Sequence, residues 1–173
     1  MYKLRELERS DLFRINTWRN DPELISLLGA PFRYINLEID TKWFDAYMSS
    51  RDRTVRCAVV DIERENEILG LVSLTSIDHI NQSAELHIMI GDKVDQGRGI
   101  GSFALSEMLS HAFKNLNLQR VELTVLAENT RAQHVYEKFG FVCEGKKRKA
   151  KFKNGQFVDM LQYALLREEY VGQ

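Results

Sequence analysis

The amino-acid sequence predicts a mixed α/β or α+β fold in which one sheet carries helices on both faces. The first observation is the order of the elements: one strand, two or three helices, three strands, a helix, a strand, a helix and two strands. The second is continuity, because the 173 residues contain only two prolines and show no linker, internal repeat or low-complexity segment. We therefore expect a single domain that spans residues 1–173.

The N-terminal part predicts an edge strand followed by short helices. Residues 4–8 alternate between apolar and polar side chains, as in an edge strand. Ser10 or Asp11 is then placed to cap a helix whose apolar residues recur at helical spacing. Pro22 begins a second helix, because its missing N–H has no cost at a first-turn position, and Gly29 ends that helix.

Residues 32–40 interrupt the periodic pattern before the central strands. We expect this segment to be irregular, and we expect Asp40 or Thr41 to cap a third helix. Two β-rich runs follow at residues 55–62 and 68–77, and the polar residues between them predict a hairpin connection.

The C-terminal half alternates strands with helices. Strands are predicted at residues 84–90 and 121–126, and helices from about Gly99 and over residues 130–139. Gly140 is expected to end the last helix in the left-handed conformation.

The last predicted element is a hairpin of residues 141–152 and 157–166. Asn154-Gly155 is a type I′ turn signal between its two strands. The basic residues between positions 146 and 153 are interpreted as a solvated strand face rather than a polyanion site. The exposed edge of this hairpin is the surface that we expect to support a homodimer.

Charge and composition exclude several classes of protein. Hydrophobic residues make up 44% and charged residues 28% of the chain, as in globular proteins. The net charge of −1 argues against a nucleic-acid-binding surface, which needs a basic excess. No run reaches the roughly 18 apolar residues of a membrane span, and the N-terminus lacks a signal peptide. Cys57 and Cys143 each lie in an apolar run, so we expect buried thiols, no metal site and a cytoplasmic location.

The first motif that indicates chemistry is a glycine-rich turn between a predicted strand and a predicted helix, Gln96-Gly97-Arg98-Gly99-Ile100-Gly101. Unpaired N–H groups and the helix dipole make such a junction a site for phosphate, and glycines let the backbone approach the ligand. The turn lacks the Gly-Lys-Ser/Thr ending of a P-loop and the Gly-x-Gly-x-x-Gly spacing of a dinucleotide site. The alternative is a glycine-rich turn without a ligand.

Two motifs of the C-terminal half together resemble the GNAT superfamily of N-acetyltransferases. Gln96-x-x-Gly99-x-Gly101 resembles the Arg/Gln-x-x-Gly-x-Gly/Ala loop that holds the pyrophosphate of acetyl-CoA in that family. Further along the chain is a match to the second signature, Asn-x-x-Ala-x-x-x-Tyr-x-x-x-Gly-Phe, formed by Asn129, Ala132, Tyr136, Gly140 and Phe141. Within the superfamily, the chain looks closest to the group of ribosomal-protein N-terminal, spermidine and nucleotide-linked amino-sugar acetyltransferases.

The resemblance implies a fold, a cofactor and a set of cofactor contacts. The implied fold is a mostly antiparallel seven-stranded sheet with a splayed fourth strand. The implied cofactor is acetyl-CoA, whose pantetheine arm would pair with the backbone of Ile88, Met89 and Ile90. Asn129 would contact this arm near the thioester, and Tyr136 would protonate the departing thiolate. The residues implied in pyrophosphate binding are Gln96, Gly97, Arg98, Gly99, Ile100 and Gly101.

Alternation in the predicted strand at residues 84–90 places Glu85 and His87 on one face. The attacking amine must lose a proton because an ammonium has no lone pair, and Glu85 is the candidate acceptor, directly or through water. Members of the superfamily often use a glutamate on this strand. The alternatives are an ordinary paired carboxylate for Glu85 and, for His87, either a proton relay or a packed polar residue.

The expected acceptor is a small-molecule primary amine that attacks the thioester directly in a ternary complex. Trp18 and Arg19 open a motif that resembles one in enzymes acting on nucleotide-linked amino sugars. Trp18 would stack on a sugar or base, and Arg19 and Arg33 would bind a phosphate. With Tyr34 and His87, these residues are expected to line an acceptor site that favours an anionic amine, such as a nucleotide-linked amino sugar. Alternatively, Trp18 belongs to the core and Arg19 is a surface cap.

Other functions are open at the level of sequence. A peptide or ribosomal-protein N-terminus is one alternative acceptor. A polyamine is another, although residues 27–34 lack the carboxylates that spermidine enzymes carry in this region. Outside enzymes, the alternatives are an acetyl-CoA-binding sensor, which binds the cofactor without turnover, and a regulatory domain that binds ATP or NAD.

Overall fold

The computed structural model describes residues 1–172. Its strands are β1 (Tyr2–Glu6), β2 (Val55–Asp61), β3 (Glu67–Asp78), β4 (Ser83–Ile90), β5 (Arg120–Leu126), β6 (Val142–Lys153) and β7 (Gln156–Leu166). Its helices are α1 (Leu12–Arg19), α2 (Pro22–Ser26), α3 (Leu37–Met48), α4 (Ile100–Ser110) and α5 (Thr130–Lys138). The strands form a seven-stranded sheet in the order β1-β2-β3-β4-β5-β7-β6.

Neighbouring strands in this sheet pair antiparallel except β4 and β5, which run parallel. The parallel pairing is limited to residues 83–85 of β4 and 120–122 of β5. Beyond it, β4 continues to Ile90 beside β3, and β5 continues to Leu126 beside β7. The two strands therefore diverge, and the expected mostly antiparallel sheet with a splayed fourth strand is confirmed.

Helices cover both faces of the sheet, as predicted. On one face, a core that includes Val72 and Leu105 brings together the sheet, α4 and α5. On the other face, a second core that includes Leu12, Phe44 and Leu71 brings together the sheet, α1 and α3. Leu71 and Val72 enter opposite cores because successive side chains of a strand point to opposite faces. Each face of the sheet is thus fixed to its own helical layer.

The start of α3 differs from the prediction. The helix begins at Leu37, and its cap is Asn36, whose Oδ1 accepts from the Ile39 N–H at 3.0 Å. Asp40, which was expected to cap this helix, is fully buried inside it and pairs with Arg19 of α1. The prediction was wrong because a buried ion pair and a cap use the same residue type, and sequence alone does not separate them.

The second helix is shorter than predicted, since α2 ends at Ser26 rather than at Gly29. Its predicted start is confirmed, because the Asp21 side chain accepts from the backbone of Glu23 and Leu24 and Pro22 occupies the first turn. The edge position of the first strand is also confirmed, because β1 lies at one end of the sheet.

The turns of the C-terminal half follow the sequence signals. Asn154 and Gly155 have φ values of 50° and 82°, as the predicted type I′ turn requires, and Gly140 ends α5 with a φ of 92°. The expectation of a buried thiol is wrong for Cys143, which is exposed because it lies on β6, the open edge of the sheet. Cys57 is partly buried.

No helix within residues 1–172 is long and apolar enough to cross a membrane.

Candidate active site

The divergence of β4 from β5 opens a gap, and the pairing with β3 shows which backbone groups face it. Ile90 stands opposite Gly70, and the Gly91 N–H donates to the Leu69 carbonyl at 2.9 Å. In an antiparallel ladder this pattern directs both backbone groups of Ile90 away from β3 and toward the gap. The two-residue period of the strand gives Ile88 the same direction.

Met89 has the opposite orientation. Its N–H and C=O point to β3, where it stands opposite Leu71. The expected pairing of the Met89 backbone with a pantetheine arm is therefore wrong, because these groups already belong to the sheet ladder. For Ile88 and Ile90 the pairing stays a prediction, and their free backbone groups face the right way.

The glycine-rich turn lies beside the end of β4. A Cβ at Gly101 would stand 3.8 Å from Ile90 Cγ1, so the first turn of α4 is in contact with that strand. Gly97 and Gly99 have φ values of 86° and 81°, and a Cβ at Gly99 would meet nothing within 4 Å. No side chain caps α4. Its first N–H groups therefore face open space, which fits a bound pyrophosphate.

Arg98 of this turn has a protein partner. Its Nη1 donates to Asp95 Oδ1 at 3.0 Å, and Arg64 Nη1 donates to the same oxygen at 3.3 Å. Asp95 is 2% exposed, so the pair anchors the turn to the body of the protein. A role of the Arg98 guanidinium at phosphate is not supported by this geometry, whereas its backbone belongs to the turn together with Gln96 and Ile100.

Asn129 begins α5. Its Oδ1 accepts from the Ala132 N–H at 3.1 Å, which caps the helix, and its Nδ2 donates to the Leu27 carbonyl at 3.2 Å. The side chain therefore links α5 to the segment after α2. Its predicted contact with the cofactor arm stays a prediction and competes with the bond to Leu27.

Tyr136 lies on the face of α5 that packs against the sheet. Its ring centroid is 5.9 Å from that of Phe141 and 6.4 Å from that of Tyr163. Burial raises the pKa of Tyr136 to about 12, so the hydroxyl keeps its proton at neutral pH. A protonated phenol can donate to a leaving thiolate, which is the chemistry that the sequence motif implied.

Glu85 and His87 lie on the other face of β4, the face that α1 and α3 cover. His87 Nε2 is 3.7 Å from Glu85 Oε1 and 3.0 Å from Thr75 Oγ1. Desolvation lowers the pKa of His87, the Arg56 cation lowers it further, and Glu85 opposes both. With 52% of its side chain exposed, His87 is not a packed residue, and the relay interpretation stays a prediction.

A second carboxylate, Glu122, stands beside Glu85, and sequence reasoning missed it. The two residues are partners in the short parallel pairing of β4 with β5, so their side chains share one face. Arg120 Nη2 binds Glu122 at 2.9 Å and Glu144 at 2.6 Å. Alternation along residues 120–126 was the only available signal, and it does not give the register between two strands.

Trp18 does not offer a face to a substrate. It is 2% exposed, and its Nε1–H donates to Asp92 Oδ1 at 3.3 Å. A Cβ at Gly91 would lie 1.9 Å from its ring, so the indole fills the space beside the end of β4. The core interpretation of Trp18 is confirmed, and the stacking role is wrong.

The other residues of the predicted acceptor site are not assembled as expected. Arg19 pairs with the buried Asp40, and its guanidinium stacks on Trp43 at 5.4 Å, so it is neither a free phosphate ligand nor a surface cap. Arg33 and Tyr34 are exposed between α2 and α3. Tyr34, at 91% exposure, contacts the ring of Phe32 at 5.2 Å. The nucleotide-sugar hypothesis therefore loses Trp18 and Arg19, whereas the roles of Arg33, Tyr34 and His87 stay predictions.

Comparisons with known proteins match this architecture. Residues 2–142 match the family model described as "Acetyltransferase (GNAT) domain". The chain is 32% identical to spermidine N(1)-acetyltransferase of Vibrio cholerae serotype O1, over 97% of this chain and 94% of that protein. It is 30% identical to spermidine N(1)-acetyltransferase of Escherichia coli K12, over 99% of this chain and 89% of that protein.

A solved structure of a spermidine acetyltransferase shares the fold of this protein. Spermidine N-acetyltransferase from Vibrio cholerae, in complex with CoA and spermine, superposes with a TM-score of 0.90 at 31% identity. The match covers 98% of this chain and 97% of that one. With a splayed fourth strand, an open glycine turn and a matching family model, the chain belongs to the GNAT family and is an acetyl-CoA-dependent N-acyltransferase.

Proposed function

We propose that the protein transfers the acetyl group of acetyl-CoA directly to a polyamine held in a ternary complex. The observation that carries this proposal is the pair of carboxylates, Glu85 and Glu122, which lie side by side where β4 and β5 diverge. Arg120 is bound by both Glu122 and Glu144, so the three carboxylates Glu85, Glu122 and Glu144 against one guanidinium leave two negative charges. This net charge attracts a cation, and a polyamine carries several ammonium groups. The similarity to spermidine acetyltransferases supports the same class of acceptor.

Three of the cations that argued against a polyamine are bound by the protein itself. Arg19 is bound by Asp40, and Lys146 binds Asp159 at 2.9 Å. Lys153 is buried, and its ammonium donates to the Ile25 carbonyl at 2.7 Å. Because these three charges are neutralised or solvated by protein oxygens, they add little repulsion, whereas Arg33 and the other basic residues of β6 stay exposed.

The segment between α2 and α3 differs from what the resemblance to spermidine enzymes implies. Residues 27–34, between α2 and α3, contain no carboxylate and include Arg33. We propose that this chain holds the cationic acceptor mainly through Glu85 and Glu122 rather than through that segment.

The chemistry follows from the groups that face the gap. Acetyl-CoA, when bound, supplies an acetyl group activated as a thioester. Glu85 accepts a proton from the acceptor ammonium, directly or through water, and thereby frees a lone pair on nitrogen. The Ile90 N–H points into the gap and is a donor for the carbonyl oxygen that gains negative charge. The hydroxyl of Tyr136 delivers a proton to the departing sulfur.

The experiment is a CoA-release assay over three panels: polyamines, peptide N-termini and nucleotide-linked amino sugars. We expect turnover of spermidine and spermine. Glu122→Gln should raise the KM for spermidine by about tenfold, because one charge-assisted contact is lost. Glu107→Gln, a change at an exposed residue of α4, is the control and should leave that KM unchanged. Turnover confined to peptides or to nucleotide-linked sugars would overturn the polyamine proposal.

We also propose that β6 is the surface at which two copies meet. β6 is an outer strand of the sheet, and most of its residues are exposed. Sedimentation analysis should give a dimer. Proline at a residue in the middle of β6 whose N–H points away from β7 should remove an edge donor and shift the protein to a monomer. A monomer across the concentration range of the assay would contradict this part of the proposal.

A further inference from the structure

Arg131 lies against the glycine-rich turn, although it belongs to a different element. It occupies the first turn of α5, and its guanidinium reaches the turn that precedes α4. A Cβ at Gly97 would stand 2.8 Å from Arg131 Nη2, so the guanidinium rests on the bare Cα of this glycine. The turn is thereby covered by a cation from outside its own sequence.

The position of Arg131 is electrostatically unfavourable for the helix that carries it. The N-terminus of a helix has a partial positive charge, which repels a cation in the first turn. Within residues 1–172, the Arg131 guanidinium forms no ion pair with a carboxylate at 4.0 Å or less. Arg64 and Arg98, which lie around the same turn, are both bound to the buried Asp95. Arg131 is therefore the arginine at this turn whose charge is available to an added anion.

We propose that Arg131 binds a phosphate of acetyl-CoA and acts as a cofactor-specificity residue. This inference rests on the assignment of the glycine turn as the cofactor site and extends it to α5. The turn supplies backbone N–H groups, and Arg131 supplies a planar guanidinium that can hold two phosphate oxygens. The phosphate is either part of the pyrophosphate or the one on the ribose, since both belong to the same ligand.

The test is calorimetric titration of CoA and of dephospho-CoA, which lacks the ribose phosphate, into Arg131→Gln and the wild type. We expect Kd for CoA to rise about 10- to 100-fold, as for loss of a hydrogen-bonded charge pair. A rise of the same size for dephospho-CoA assigns Arg131 to the pyrophosphate, and no rise assigns it to the ribose phosphate. Lys138→Gln, which removes a cation from the other end of α5, is the control and should leave both Kd values unchanged.

A second readout separates ligand binding from a structural role. If Arg131 serves the cofactor, Arg131→Gln relieves repulsion in α5, and the melting temperature without cofactor should be unchanged or higher. A lower melting temperature without cofactor, or an unchanged Kd for CoA in the variant, would overturn the inference. Wild-type protein that binds no CoA would instead contradict the assignment of the turn itself.

Discussion

At the scale of single residues, two neighbouring tyrosines differ in what their hydroxyls contact. The hydroxyl of Tyr163 donates to Glu137 Oε1 at 2.9 Å. The hydroxyl of Tyr136 has no such carboxylate partner within residues 1–172, and its ring packs against the core between α5 and the sheet. The pKa of each is raised to about 12, mainly by burial. Acidity therefore does not separate the two residues, and the proposed role of Tyr136 as the acid rests on the sequence motif.

Tyr136→Phe should lower kcat by about 10- to 10³-fold, because it removes one general acid. Affinity for acetyl-CoA should change little, since the ring stays in the same aromatic cluster. Tyr163→Phe is a matched control that removes a hydroxyl from that cluster without removing the acid. Wild-type kcat in Tyr136→Phe, with the chemical step shown to limit the rate, would exclude the hydroxyl from the mechanism.

Glu85→Gln should reduce the rate most at the acid end of the pH profile. An amine has a pKa of about 10, so the fraction of the amine that is already deprotonated falls as the pH falls, and the reaction depends more on a protein base. The profile of kcat/KM against pH measures this effect. A variant profile parallel to that of the wild type would show that Glu85 is not the base, and His87→Gln would then be the next variant to compare.

At the scale of elements, a buried ion pair ties α1 to α3. Asp40 is fully buried, it pairs with Arg19, and it accepts from Asn16 Nδ2 at 2.7 Å. Asp40→Ala leaves a partly buried guanidinium without its carboxylate and should cost about 3–5 kcal/mol of the free energy of unfolding. Asp45→Ala, which breaks the exposed pair with Arg9, should cost no more than about 1 kcal/mol. Urea unfolding measures the loss of unfolding free energy in both variants, and equal losses would contradict a stabilising role of the buried ion pair between α1 and α3.

Alanine at Gly99, in the turn before α4, and alanine at Gly155 introduce the same backbone strain, so comparing them isolates the effect on cofactor binding. Gly99 and Gly155 have nearly equal φ values, 81° and 82°, and neither would bring a Cβ within 4 Å of another group. Replacement of either by alanine should therefore cost a similar 1–2 kcal/mol or so in stability. Only Gly99→Ala should weaken CoA binding, by about tenfold, because its methyl group enters the phosphate site. Equal CoA affinity in the two variants would contradict the assignment.

The start of a helix or a turn could be predicted where the local sequence is compatible with only one backbone conformation. Pro22 after a capping aspartate and Asn154-Gly155 in a hairpin each leave few alternatives to the backbone. The start of α3 was not predictable, because Asn36 and Asp40 are both good caps and only the fold shows that Asp40 pairs with Arg19. Pairing across elements overrides the local preference in that case.

At the scale of the whole molecule, the sequence was sufficient to predict the position of the candidate cofactor site but not that of the acceptor site. The candidate cofactor site depends on a glycine turn between a strand and a helix, which are neighbours in the sequence. The proposed acceptor site depends on the register of β4 against β5, which places Glu85 beside Glu122. It also depends on Asp40, which neutralises Arg19, and on Asp159, which neutralises Lys146. Each pair joins residues from different elements. Residue types alone indicated a cationic lining, and only the fold shows how those charges are paired.

The proposed reaction is direct transfer of the acetyl group from acetyl-CoA to an amine that is bound at the same time. Its most direct test is the initial rate of CoA release with acetyl-CoA and spermidine varied against each other, with acetylated spermidine identified by mass spectrometry. Double-reciprocal plots should intersect, and no burst of CoA should appear without amine. Parallel lines, together with a stoichiometric burst in the absence of amine, would indicate a covalent acyl-enzyme and would contradict the account.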